Sequence, residues 1–593
     1  MILSLIAGLL LAPAADTLQA VTIVADKGLI VSRTDTVRVR PTIDASATLS
    51  LIPGLHVGDY GWGAGLKSVS LRGLGSAHTA VYLDGVRVGN VQSGQGDLAL
   101  LGADNFGSAV VDYAQNSVSF NTLKPSFGTR AVAGRVRLDA GSFGTWKPYG
   151  RLDFRLSDKV NLSAHAAADV TAGDFPLADG TLRANNDLRL IHGGADAWGL
   201  LDRGGWHAKI YASGADRGTP GSLSWPSPDD RQSDRGYLAQ GTFRRQFTDL
   251  YELRLSAKGS FDDLRYTSTW GDSSYSQTEL QINSSHKFTL RPWWAVSAAA
   301  GMQWDALRGN VYNVSRLGTV AAVASAFRTG RLAADIALEY TGVFEQGHGS
   351  WNKLAPSAQL RLSLLPGVDV LAFGRRAYRV PVFNELYYPG YGNPSLRPED
   401  AWLADVGADL HRTLGRWRAG LRLDGFYNRL TDKIISAPSE DPYVWLPYNI
   451  GKVEAFGADL LASLSWSGSG LSAGFTARYG WQEALDKTPD SYTFGQQIPY
   501  VARHTLVLSA DAAWKGWSAG AVFNLHAGRS DSSGEMPDWN TLDLSASKEF
   551  KLPGEVALGL RLSARNLLGC RYEVIRDYPM PGRSLLGGIE VRF

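Results

Sequence analysis

Cysteine is almost missing: Cys570 stands alone among 593 residues. One thiol excludes an internal disulfide framework and any zinc site built on thiolates. Cys570 itself reads as a small apolar residue near the end of a strand. An excess of charge is missing too. Lys plus Arg total 59 against 57 Asp plus Glu, so the formal net charge is +2 and there is no basic footprint for nucleic acid. Long apolar runs are absent outside "MILSLIAGLLLAPAADTLQ", which ends its greasy stretch in the small-residue pattern "APAA". That stretch falls short of the roughly 20 residues a spanning helix needs, but it matches an export signal and its cleavage site. Residues 1–15 are therefore expected to be a signal-like segment, although no Lys or Arg precedes Lys27 and the usual basic start is lacking. The next most apolar stretch, "PWWAVSAAAGMQW" (Pro292–Trp304), is closed off by Arg291 and Asp305. The ten histidines show no H-E-x-x-H spacing. "GWSAG" and "GLSAG" match the nucleophile-elbow pattern, but both lie in strand-like text rather than at a strand-turn-helix, so a hydrolase is not expected.

What the chain has instead is glycine, aromatics and alternation. There are 66 Gly, 18 Trp and 23 Tyr, with aromatics at 10% and charged residues at only 20%. From about Val136 onward, short segments alternate with period 2. "EVALGLRLSA" puts Val556, Leu558, Leu560 and Leu562 opposite Glu555, Gly559, Arg561 and Ser563. "RWRAGLRLDGFY" puts Trp417, Leu421, Leu423 and Tyr427 opposite Arg416, Arg418, Arg422 and Asp424. "GRSLLGGIEVRF" does the same with Leu585, Ile589, Val591 and Phe593. Such strands cross a bilayer in about 9–11 tilted residues, with apolar side chains to lipid. Trp146, Trp293, Trp417 and Tyr427 suit interfacial girdles. Short turns such as "LPGVD" and "SDK" alternate with long polar loops such as "GTPGSLSWPSPDDRQSDRG", the asymmetry of a membrane barrel. A soluble sandwich would need linkers, and a propeller a fixed repeat; neither is visible.

The first 130 residues do not alternate over long spans. "AVYLDGVRV" reads as a hairpin whose Asp84-Gly85 supplies the two positive-φ residues of a type I′ turn. A small α+β unit followed by a large barrel is the expected organisation.

Three stretches together carry a family resemblance. They are "TLSLIPGLHV…LKSVSLRGLGSAHTAVYLDGVRVGN" (Thr48–Asn90), "RVPVFNELYYPGYGNPSLRPEDAW" with Asn393-Pro394 and Leu396-Arg397-Pro398-Glu399, and "ARNLLGCRYEVIRDYPMPGRSLLGGIEVRF" at the end. In this order and spacing they resemble the TonB-dependent outer-membrane receptors, most closely the cobalamin (vitamin B12) branch. The resemblance implies an all-β membrane protein, a 22-stranded antiparallel transmembrane β-barrel occluded by an N-terminal α+β plug. Residues 16–30 would hold the TonB box and linker, 31–130 the plug and 131–593 the barrel. The location would be the outer membrane of a Gram-negative bacterium, and no enzymatic activity is expected.

What the resemblance implies for function is active import of a bulky, scarce nutrient, a corrinoid such as cobalamin before a ferric siderophore. A passive or ligand-binding surface barrel is the alternative of a different class. Leu18, Gln19, Ala20, Val21, Thr22, Ile23 and Val24 would pair as a strand with TonB, through main-chain bonds that tolerate varied side chains. The ligand would meet plug loops at Asp59–Leu66 and Gly89–Asp97. There Tyr60, Trp62 and Leu66 offer apolar surface, Gly63 lets backbone come close, and Asn90, Gln92, Ser93 and Gln95 can hydrogen-bond an amide-fringed ligand. Asp174, Asp179, Asp229 and Asp230 in two loops are calcium candidates, the only metal the resemblance suggests; no other cofactor is expected. A surface lipoprotein partner is also compatible with the resemblance.

Overall fold

The computed structural model describes residues 33–593 except 40–44, 53, 64, 91, 270, 346–348, 440–444 and 532. Its N-terminal unit is built on a five-stranded sheet of β1 (Thr34–Arg38), β4 (Ala80–Leu83), β5 (Val86–Val88), β6 (Phe106–Asp112) and β7 (Ser117–Thr122), in the order β1-β6-β7-β4-β5. The β4–β7 pair is parallel and its neighbours antiparallel. The β4–β5 hairpin turns at Asp84 (φ 49) and Gly85 (φ 83), as a type I′ turn requires. A separate hairpin, β2 (Leu55–Asp59) with β3 (Lys67–Leu71), and a short helix α1 (Ala45–Leu49) complete the unit. Leu49, Val69, Leu83, Val111, Val118 and Phe120 form its apolar core.

The long strands that follow close on themselves. Twenty-two antiparallel strands run from β8 (Val132–Gly141) to β31 (Ser584–Arg592), leaving out a small loop hairpin of β27 (Arg529–Asp531) and β28 (Gly534–Met536), and β31 pairs back onto β8 with Val591 opposite Val136. The seam is locked at its end by two backbone bonds, Gly134 N to Phe593 O at 2.7 Å and Phe593 N to Gly134 O at 3.0 Å. The burial pattern is inverted relative to a water-soluble protein. Val136, Leu138, Leu421, Leu423, Leu562, Leu585 and Ile589 are exposed on the outer wall, while Arg137, Asp139, Arg422 and Asp424 are enclosed. Lipid replaces water outside, so apolar side chains are satisfied there, and closure leaves no unpaired strand edge. Trp293, Trp417, Trp514 and Trp517 ring the end of short turns. Trp146 and Tyr427 sit on the outer wall toward the other end.

That other end carries long connections, among them 172–187, 219–230, 380–398, 487–503 and 566–583; 202–203, 366–367, 415–416 and 515–516 close the opposite end tightly. In such barrels the short turns face the periplasm. The N-terminal unit sits inside the barrel as a plug, its core continuing onto wall residues Phe373, Leu403, Leu430 and Val453 and its flanks held by polar and charged contacts. Arg72 of the plug donates to Asp405 (2.6 Å) and Asp459 (2.8 Å) of the wall. Lys209 of the wall reaches Asp84 at 3.2 Å, and Glu399 meets His78 at 2.5 Å. Gln240 and Lys258 donate to the carbonyls of Leu83 and Arg87.

Candidate functional site

Two plug loops rise toward the long-loop end. In the first, the Asp59 carboxylate accepts from Gly61 N (3.0 Å) and pairs with Lys67 (2.6 Å), and Tyr60 N donates to Leu66 O (3.1 Å). The loop is so tight that a Cβ at Gly65 would lie 2.5 Å from the Tyr60 carbonyl. In the second, Asn90 Oδ1 accepts from Gln92 N (2.8 Å) and Ser93 N (3.1 Å), and Gly94 N closes onto Asn90 O at 2.7 Å. Asp97 ties the two together by accepting from Lys67 N (3.1 Å), while Arg217 anchors it to the wall at 2.9 Å. The barrel loops then reach down. Asn186 donates to Trp62 O (3.0 Å), and Asn384 N donates to Gln92 O (3.1 Å).

Each loop gathers a group of tyrosines from the barrel. Over the first, Tyr60 meets Tyr578 edge-on with centroids 5.4 Å apart, and Tyr500 and Tyr266 stand within electrostatic reach of this pair. Over the second, Tyr275 packs against Tyr312 (6.0 Å), which packs against Tyr387 (6.3 Å), and Tyr388 adjoins them. The helix α2 (Phe383–Tyr387) positions this second group, and Tyr312 donates to Asn384 Oδ1 at 2.7 Å. Burial, together with Tyr578, pushes the Tyr60 hydroxyl above its ordinary range; burial, then neighbouring Tyr275, does the same at Tyr312. These hydroxyls therefore stay neutral. The nearby guanidiniums are committed: Arg183 to Gly221 O, Arg231 to Asp187 (2.6 Å), Arg571 to Ala178 O (3.1 Å) and Arg576 to Asp531. The vestibule is an aromatic bowl with hydrogen-bonding rims, in which Arg231 and Arg576 are paired with aspartates while Arg183 and Arg571 bond backbone carbonyls.

The residues singled out from sequence divide by role. Tyr60, Leu66 and Ser93 are exposed in this bowl. Trp62 lies half-buried with its ring edge-on to Phe143 at 5.4 Å, and Gly63 abuts Thr171. Asn90 uses its side chain to shape the turn, and Gln95 supplies the carbonyl that accepts from Asn90 N (3.1 Å). Gln92 is buried and bonds the hydroxyls of Tyr275 and Tyr312, so it braces the tyrosine group. The barrel tyrosines escaped sequence reading; the only hint was the three tyrosines of "NELYYPGYGN".

The four calcium candidates are not gathered into one site. Asp174, Asp179 and Asp229 are exposed, and Asp179 is occupied by Thr181 N (2.9 Å) and hydroxyl (2.7 Å), while buried Asp230 accepts from Tyr266 at 2.7 Å. Among the described residues, the groups of three carboxylate or imidazole ligands are Asp84, Asp196, His207 and Asp104, Asp169, His192. Neither includes any of the four. The expected TonB segment Leu18–Val24 and the signal-like residues 1–15 lie outside the described residues. Arg33 is buried and pairs with Asp409 (2.9 Å) and with Asp424. Asp409 lies near the turn after Leu414, so the chain enters the plug from the short-turn end.

Comparison with known proteins bears on this architecture. The model of the TonB-dependent receptor-like β-barrel matches residues 167–567, and that of the TonB-dependent receptor plug domain matches residues 15–125. The chain belongs to the TonB-dependent receptor family. It is an outer-membrane receptor of the Gram-negative type. This receptor is 24% identical over 591 residues to the vitamin B12 transporter BtuB of Vibrio vulnificus, covering 92% of this chain and 89% of the relative. It is 22% identical over 444 residues to the BtuB of Photobacterium profundum, with 70% of each covered. Among solved structures, the FrpB iron transporter of Neisseria meningitidis superposes with a TM-score of 0.76 at 13% identity, over 94% of this receptor and 99% of that chain. The siderophore receptor PirA of Acinetobacter baumannii gives 0.74 at 12% identity, over 94% and 98%. These structural likenesses speak to the fold.

Proposed function

We propose that this receptor imports a corrinoid, cobalamin or a close relative, across the outer membrane under TonB control. The observation that supports the reading is the vestibule: a bowl of tyrosines over both plug loops, with Arg231 and Arg576 at its rim paired to aspartates. A corrinoid is a broad macrocycle rimmed by neutral amides, and it calls for flat apolar platforms and neutral donors and acceptors. An anionic ferric catecholate calls for unpaired Arg or Lys. The vitamin B12 transporters among the relatives agree in ligand class.

Calorimetry on the detergent-solubilised receptor tests this. Cyanocobalamin should bind, and Trp62→Ala with Gln92→Ala should weaken binding at least tenfold, about 1.4 kcal/mol. Trp62 acts through its surface and Gln92 by holding Tyr275 and Tyr312 in place. No cobalamin binding alongside tight binding of a ferric siderophore would move the reading to the siderophore class.

A further inference from the structure

His192 is a buried imidazole with neither ring nitrogen hydrogen-bonded, at 2% exposure. Leaving such a group unsatisfied costs on the order of 1–3 kcal/mol, so a fold that keeps it demands a reason. The ring is held in place, because a Cβ at Gly102 of the plug would sit 2.0 Å from its Cε1. Around it stand Asp169 on the neighbouring wall strand β10 (Val160–Thr171) and Asp104 from the plug. Ligand atoms of the three residues lie within 4.8 Å of one another. A second imidazole, His165, also has both nitrogens unbonded, and its ring centroid is 6.3 Å from that of His192.

The other three-ligand group shows what a settled version looks like. At Asp84, Asp196 and His207, Lys209 sits in the middle, 2.9 Å from Asp196 and 2.6 Å from Thr122, and His207 bonds Asp196 at 2.9 Å. That imidazole is satisfied and the ammonium fills the centre. At His192 the cations stand to the side: Arg137 pairs with Asp104, and Lys147 pairs with Asp169 at 3.0 Å. Lys147 lines a cavity of about 110 Å³ together with Trp62, Thr145 and Asp169, so it has room to withdraw.

We infer that Asp104, Asp169 and His192 bind a divalent transition-metal ion of the zinc class at the seam between plug and barrel. One imidazole with two carboxylates suits zinc, nickel or cobalt rather than calcium or magnesium, and three protein ligands leave positions for water. The ion replaces the Lys147 ammonium at Asp169 and gives His192 its missing partner. Because Asp104 comes from the plug and the other two ligands from the wall, the bound ion pins the plug closed.

Titration of the intact detergent-solubilised receptor with zinc chloride, followed by calorimetry and thermal melting, tests the site. Wild type should show a saturable equivalent and a raised melting temperature. His192→Ala should lose at least about tenfold in affinity, and Asp104→Asn should abolish the melting shift. Lys147→Met should bind zinc severalfold more tightly, since it removes the competing cation. Asp169→Asn serves in place of His192→Ala if that variant lacks the heat-modifiable gel mobility of a closed barrel. Absence of saturable binding in wild type, binding undiminished by loss of His192 or Asp169, or no tightening in Lys147→Met would each overturn the assignment.

Discussion

Replacing Arg72 by methionine should loosen the plug while leaving the barrel closed. Arg72 is 4% exposed and donates to Asp405 at 2.6 Å and to Asp459 at 3.2 and 2.8 Å. Its guanidinium also lies over the rings of Tyr113 and Phe426, at 4.2 and 4.4 Å. Burial alone would pull its pKa down, yet the two aspartates hold it above the ordinary value. Methionine keeps much of the length and removes the charge, leaving two wall carboxylates without their partner. Breaking a buried pair in this way costs about 3–5 kcal/mol. At 1.4 kcal/mol per factor of ten, the undocked plug should become roughly a hundred to a few thousand times more populated. Single-channel recording in planar bilayers reads this as opening events, and vancomycin sensitivity of cells reads it as leakage. The triple variant Arg72→Met, Asp405→Asn, Asp459→Asn should recover most of the closure, because neutral groups replace orphaned charges. Wild-type conductance in the single variant, or a triple variant as leaky as the single one, would refute the claim that charge pairing seats the plug.

Three other outcomes are expected. Lys in place of Val591, which faces lipid opposite Val136, should cost about 2–4 kcal/mol and reduce the heat-modifiable, inserted form; normal insertion would contradict the lipid-facing assignment of β31. Pro at Val21 removes a backbone donor from the expected TonB strand, so surface binding of ligand should persist while accumulation stops; unchanged uptake would favour a passive barrel. Burial, with Arg529 nearby, pushes His56 of the plug down to about 4 from 6.5. The unfolded chain then takes up a proton in that interval which the folded plug refuses, so stability is complete above about pH 6.5 and falls toward pH 4. His56→Gln should flatten the wild-type melting curve against pH across that window, and an unaltered slope would assign the effect elsewhere.

The barrel was readable in the chain because alternation is local. Leu421, Leu423 and Tyr427 face lipid and Arg422 and Asp424 face inward, as their spacing requires. Asp84-Gly85 specified its hairpin for the same reason, since the turn chemistry lies within two residues. The vestibule was only half legible. Asp59–Leu66 and Gly89–Asp97 could be picked out by their glycines and polar side chains, but Tyr578, in the loop before β31, meets Tyr60 across more than 500 residues of chain. Gln92 reads as a ligand-facing amide in sequence, yet the descent of α2 and its loop buries it against Tyr275 and Tyr312. The His192 group was invisible for a related reason, because its ligands come from a plug turn and two wall strands that no sequence period connects.

The charged part of the seam behaves differently from the apolar patch at Phe373, Leu403, Leu430 and Val453. When Arg72, His78 or Lys209 lets go of its partner, both sides are groups that water solvates readily, so these parts of the separated surfaces have no tendency to stick to each other or to collapse. A greasy seam torn open in an aqueous lumen would be driven to bury itself in any nearby surface, correct or not. Directional ion pairs re-form only in register, and steer their partners from a distance as they return. A plug seated through such bonds can be dislodged and reseated over many cycles, with wear falling on bonds that water itself can mend.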